Sequence, residues 1–169
     1  ATTQFESTDA RRAFPCWDEP DLKATFDVAL TIDEAIEAVS NAREVTRRSL
    51  GDGTKRIEFA RTAVMSTYLV AFVVGELVAT DPVDVKGVPL RIVTPPGQLH
   101  LTDFALEAGA FALAYFAEYY DVPYPGDKLD MVAVPDFGFG AMENLGCIIY
   151  RETALLLDPT SATRVELAR

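Results

Sequence analysis

The stretch Asp136-Phe137-Gly138-Phe139-Gly140-Ala141-Met142-Glu143-Asn144-Leu145-Gly146 decides how the rest of the chain reads. Gly138 and Gly140 lead into it and Gly146 closes it, which frees the backbone for positive φ angles and for the close approach of a second chain. The rim of a cleft needs that freedom. Residues 129–134 before it and 147–150 after it are short apolar runs of the kind that form buried strands. Met142, Glu143 and Asn144 are therefore expected on a supported sheet edge, with Glu143 projecting from a rigid place. On this stretch alone the competing reading is a glycine-rich connection with a solvated glutamate.

Upstream, residues 101–120 carry a helical pattern capped by Thr102 or Asp103. Phe104, Leu106, Ala108, Phe111, Ala112, Tyr115, Phe116 and Tyr119 give it a broad apolar surface, expected to face a core. Asp121-Val122-Pro123-Tyr124-Pro125-Gly126 ends it. Farther back, strand-like runs recur at 24–32, 38–42, 56–60, 67–74, 76–80 and 89–93. Turn signals such as Gly51-Asp52-Gly53 and Lys86-Gly87 separate them, which predicts hairpins in an antiparallel sheet or sandwich with its charged residues on solvated faces. Thr94-Pro95-Pro96-Gly97 breaks both periodicities and is the expected boundary between a domain of residues 1–96 and another of residues 97–169. The fold class is α+β.

Residues 2–6 alternate like a strand, so Gln4 and Glu6 point to one side. In residues 11–26, two prolines around Asp18-Glu19 force a turn, and Phe14 and Trp17 are expected to be buried in the corner it makes.

With 26 acidic against 15 basic residues the chain carries a net charge of −11, which argues against nucleic acid or an anionic membrane surface as partner and favours cationic groups. No apolar run reaches the length of a membrane span. Cys16 and Cys147 are too few for a disulfide framework, and free or buried thiols in a reducing, cytoplasmic setting are expected. Both ends read as cut: Ala1 leads straight into a strand pattern, and the capping box Thr163-x-x-Glu166 opens a helix just before Arg169. The expectation is a segment of a longer protein.

Gly140-Ala141-Met142-Glu143-Asn144 resembles the exopeptidase motif of the aminopeptidase N family of zinc metallopeptidases, the gluzincins. Gln4 and Glu6, followed by the Phe14-Pro15 to Phe26 stretch, are similar to a second region of that family and stand in the right order. The resemblance implies the end of an antiparallel β-sandwich-like N-terminal domain followed by the start of a thermolysin-like catalytic domain. It implies part of a zinc-dependent aminopeptidase that removes N-terminal amino acids from peptides, with this segment binding the substrate α-amino group. Glu143 is then the main amine ligand, helped by Glu6 and Gln4. Gly140 and Ala141 are main-chain contacts, Asn144 serves local hydrogen bonding, and Met142 belongs to the pocket for the first side chain.

The chemistry agrees with the residue types. A peptide N-terminus has a pKa of about 7.7 to 8.0 and is largely a cation at neutral pH. Two carboxylates and an amide carbonyl can satisfy its three donors. The family's His-Glu-x-x-His zinc motif is missing, since His100 is the sole histidine, so zinc is expected in the complete family enzyme and none in this segment, which alone should not hydrolyse a peptide. The helix opening at Thr163 sits where the family has its zinc helix. Expected partners are peptides with a free N-terminus and the remainder of the chain's own catalytic domain, with no nucleic acid and no membrane. The alternative is a non-catalytic peptide-binding or scaffold module of the same fold without metal. A weaker third reading makes the motif accidental in a β-rich interaction protein.

Overall fold

A computed structural model describes residues 1–158, 160, 162 and 163. Four strands come first: β1 (Ala29–Asp33), β2 (Glu37–Ser40), β3 (Glu44–Ser49) and β4 (Thr54–Phe59). β4 alternates, burying Lys55, Ile57 and Phe59, and it forms the centre of an antiparallel sheet in the order β1-β4-β3. β3 was not expected. Every one of its side chains is exposed, so no apolar alternation marks it, and pairing with β4 is what makes it a strand. Lys55 departs from the expected solvated faces, its Nζ donating to Glu37 Oε1 at 2.9 Å and to the Glu34 carbonyl at 3.1 Å.

The run at 67–74 begins as a 3₁₀ turn, Thr67–Leu69, and becomes a strand only at β5 (Phe72–Gly75). β5 pairs antiparallel with β2 on one edge. Its other edge takes the N-terminal residues: Thr2 bridges Val73, and the Thr3 N–H donates to Phe72 O at 3.2 Å. The run at 24–32 is likewise a single bridge, Ala24 to Met65, before β1 begins.

The remaining elements are β6 (Val78–Ala79), β7 (Val83–Val85), β8 (Val88–Thr94), α1 (Asp103–Tyr119), β9 (Leu129–Val134), β10 (Ala141–Met142), β11 (Cys147–Arg151) and α2 (Glu152–Leu155). They build a six-stranded sheet, β10-β11-β9-β8-β6 with β7 also on β8. β8, α1 and β9 form a parallel crossover unit, and β9 pairs in parallel with β11. The prolines interrupt the chain at Pro95 and Pro96, but β8 before them and β9 after them are hydrogen-bonded neighbours.

All six residues of β9 are buried, as a central strand covered on both faces requires. Leu129, Met131 and Ala133 pack with Leu90, Ile92 and Ala105 under α1, while Val132 and Val134 pack with Val39, Val73, Met142 and Ile149 under β2 and β5. One core thus joins the antiparallel N-terminal portion to the mixed sheet, and the α+β class stands.

Two burial expectations are corrected. On α1 the aromatic side is the exposed one: Phe111 is 70% exposed and Tyr119 66%. Small residues let the helix approach the sheet, so Ala105, Leu106, Ala110, Leu113 and Ala114 pack inward. Phe111, Tyr115 and Tyr119 stack on one another outside, with ring centroids 5.7 Å apart at each step. In the 11–26 corner Trp17 is 82% exposed, and the buried hub is Asp18. Asp18 adopts φ 58° and accepts hydrogen bonds from the Arg11 N–H and Nε and from the Thr67 hydroxyl. Burial alone would raise the Asp18 carboxyl pKa, but those hydrogen bonds and the Arg11 charge outweigh it and lower it. The helix expected from Thr163 lies in residues outside the described ones.

Candidate functional site

Among the described residues β10 is the last strand of the six-stranded sheet and pairs on one side, Ala141 opposite Tyr150 and Met142 opposite Ile149. Side chains alternate as the strand runs out: Ala141 is exposed, Met142 buried, Glu143 exposed and Asn144 buried. Met142 has no exposed surface and sits with Val132, Phe137, Cys147 and Ile149, so it anchors the edge from within the core and does not line an open pocket. Asn144 is 1% exposed, donates from Nδ2 to Leu69 O at 3.2 Å, and has no hydrogen-bond partner for Oδ1 among the described residues. Glu143 is therefore held outward between two neighbours fixed in the interior.

The loop before β10 is clamped from below. Arg151 donates from Nε to Phe137 O at 2.9 Å, from Nη2 to Gly138 O at 3.0 Å, and from its backbone N–H to Gly140 O at 3.0 Å. The positive φ expected at the glycines falls on Asp136, at 55°, and Gly146, at 76°, and not on Gly138 or Gly140. A Cβ at Gly138 or Gly140 would meet nothing within 4 Å, so the outer surface there is open. At Gly146 it would collide with the backbone carbonyl of Asn41.

Residues 2–6 keep their alternation although the ladder stops after one bridge. Thr3 and Phe5 are buried, Gln4 is half-buried and Glu6 exposed. The Glu6 N–H donates to Gln4 Oε1 at 2.9 Å. No hydrogen bond or ion pair joins Gln4 or Glu6 to Glu143 among the described residues, but the two segments share a support. Thr3 hangs on Phe72, and Asn144 on Leu69, of the same short run.

Beneath this support a buried polar cluster ties the halves of the chain together, and none of it was singled out from sequence. Lys128 Nζ donates to Ser40 O at 2.5 Å, Gly146 O at 2.6 Å and Asp130 Oδ2 at 2.8 Å. Arg91 closes on the same carboxylate, Nε to Oδ1 at 2.6 Å and Nη2 to Oδ2 at 3.2 Å. Burial alone would raise the Asp130 pKa, but the Lys128 and Arg91 charges overcome it and hold the carboxyl below its ordinary value. The Gly146 N–H donates to the Tyr124 hydroxyl at 2.8 Å, and burial pushes that phenol up to about 12. Cys147 is a free, buried thiol, also pushed up to about 12 by burial; Cys16 is free and half-buried. The signal available for the cluster was a Lys-x-Asp pair opening an apolar strand, since charges beside a fully buried run must be paired.

The described residues do not fit the zinc that the resemblance implies. His100 lies exposed in a 3₁₀ turn, Leu99–Leu101, with no second histidine in the chain to join it. Among the described residues no three His, Cys, Asp or Glu side chains are grouped to hold a metal ion. No described helix is long and apolar enough to cross a membrane.

Comparison with known proteins gives two family matches. The Peptidase M1 N-terminal domain matches residues 1–69, and the Peptidase family M1 domain matches residues 104–168. A puromycin-sensitive aminopeptidase of Caenorhabditis elegans is 45% identical over 160 residues, covering 94% of this chain and 17% of the relative. Aminopeptidase M1-D of Oryza sativa subsp. japonica is 47% identical over 163 residues, 96% of this chain and 19% of the relative. Endoplasmic reticulum aminopeptidase 2 of Bos taurus is 44% identical over 168 residues, 99% of this chain and 18% of the relative. The chain thus spans less than a fifth of the length of these relatives.

Proposed function

We propose a function from one premise: the chain belongs to the aminopeptidase N (M1) family of metallopeptidases. On that premise it is part of a zinc-dependent aminopeptidase that removes N-terminal residues from peptides, and this part binds the substrate α-amino group. The observation that carries the reading is Glu143, exposed at the end of an edge strand between Met142 and Asn144, each 1% exposed or less.

An ammonium has three donors and no acceptor, and Glu143, Glu6 and the Gln4 amide oxygen offer one acceptor group each. Gln4 Oε1 already accepts from the Glu6 N–H, and its second lone pair remains for a ligand. Gly140 and Ala141 offer main-chain groups to an extended substrate, as an edge strand pairs with an added one. Asn144 fixes the direction in which Glu143 leaves the sheet. A peptide blocked at its N-terminus brings no cation to this site, which selects exopeptidase cleavage.

Zinc binding and bond cleavage are assigned to parts of the parent protein outside these 169 residues, so the segment alone is inactive. The exposed aromatic ladder of α1 supports a further assignment, because a helix that is apolar on all sides is normally an interior one. Its outer face receives more of the catalytic domain. The two unpaired thiols support a cytoplasmic location.

The test uses the whole enzyme. Glu143→Ala should lower kcat/KM on leucine p-nitroanilide by about a hundredfold, the scale for removing one partner of a buried charge pair, and should leave zinc content unchanged. Unchanged turnover would overturn the assignment.

A further inference from the structure

We infer that Asn41 is a positioning residue that sets the separation between the two halves of the amine site, an inference that rests on the reading of Glu143 and Glu6 above. Asn41 is 4% exposed, and both hydrogens of its side-chain amide and its oxygen are engaged. Nδ2 donates to Leu69 O at 2.8 Å and to Leu145 O at 2.8 Å, and Oδ1 accepts from the Ala71 N–H at 2.8 Å. Leu69 and Ala71 belong to the run from which the segment bearing Gln4 and Glu6 hangs. Leu145 lies two residues beyond Glu143. One planar group therefore fixes both backbones at once.

The neighbouring contacts leave little freedom around that clamp. The Asn41 backbone carbonyl lies against Gly146, where no side chain fits. Asn144 donates to the same Leu69 carbonyl that Asn41 uses. Lys128 bridges Ser40 O and Gly146 O, a second tie between the backbone next to Asn41 and the one next to Leu145. Glu6 and Glu143 come from segments far apart in sequence, and a cation can use both carboxylates only if their separation is held. A displacement of about 1 Å in such a site costs on the order of a hundredfold. Asn41 touches neither substrate nor reacting atoms in this account; it acts through Leu69 and Leu145.

The experiment uses the full-length enzyme and two competitive inhibitors, the hydroxamates of L-leucine and of 4-methylpentanoic acid, which differ only in the α-amino group. Asn41→Ala should raise the inhibition constant of the amino compound by about tenfold, part of the loss that misplacement brings, and leave that of the desamino compound in place. A residue that merely supports the fold would move both constants together, or neither, while lowering Tm. Asn41→Ser, whose hydroxyl can still donate to one carbonyl, is the milder variant and carries the same test if the alanine variant does not accumulate. Glu143→Ala separates the two ideas. If it abolishes the preference for the amino compound while the Asn41 variants keep that preference in full, the positioning role is wrong and the amine reading stands. If Glu143→Ala keeps the preference, the amine reading fails and the role of Asn41 fails with it.

Discussion

Gly146 shows how tightly single residues are constrained where the halves of the chain meet. Its φ of 76° disfavours any L side chain, and a Cβ there would run into the Asn41 backbone. Its N–H is held by Tyr124 and its carbonyl by Lys128 and by the Asp130 N–H. Gly146→Ala should therefore destabilise the protein by about 3 kcal/mol or more, since strain and a steric clash add; the fall in urea midpoint measures it, and a loss below half a unit of molar urea would contradict this view. At this scale the sequence was only partly legible. It marked the glycines as special, yet the left-handed positions turned out to be Asp136 and Gly146. Backbone φ at Gly138 and Gly140 depends on how Arg151 pulls the loop down, and Arg151 lies beyond the stretch itself. Glu143, Gln4 and Glu6 could be picked out because a motif names them. Asn41 could not, because its partners are 28, 30 and 104 residues away and no local pattern marks them.

Strand β9 supplies the clearest case at the scale of elements. A short run that is apolar at every position but Asp130 and is bounded by turns reads as a buried strand, and all six residues are buried. What the run hid was Asp130 within it, paired with Lys128 and Arg91. Because its carboxyl pKa is lower folded than unfolded, Asp130 contributes stability that is full above the unfolded value of about 3.9 and is lost as pH falls through the lowered folded value. The urea midpoint of the wild type should then drop more steeply between pH 6 and pH 3 than that of Asp130→Asn. Parallel curves would show that the carboxylate carries no such linkage. Elements without apolar alternation were invisible: β3 is wholly exposed and β7 buries only Val85, so both depend on their neighbours for strand structure. α1 was legible as a helix but its faces were misassigned. Aromatic size suggested the inward side, whereas close approach to β8 and β9 demanded small residues there.

Over the whole molecule, the two halves form one body around a shared core, and the candidate site draws on both. Prolines at 95 and 96 break local periodicity, while sheets are assembled from distant strands, and β8 before the prolines pairs with β9 after them. The same principle explains why the order of motifs revealed the family while their convergence on residues 69–73 did not show in the sequence. On the proposed function, Glu6 and Glu143, from opposite halves of the chain, bind one ammonium. A double-mutant cycle in the full-length enzyme tests it most directly, with Glu6→Gln, Glu143→Gln and the pair, read as inhibition by L-leucine hydroxamate. A coupling energy of about 1 kcal/mol or more is expected, the range for residues that share a partner. Losses that add to within about 0.3 kcal/mol would show that the two carboxylates act on separate groups, and would contradict the claim.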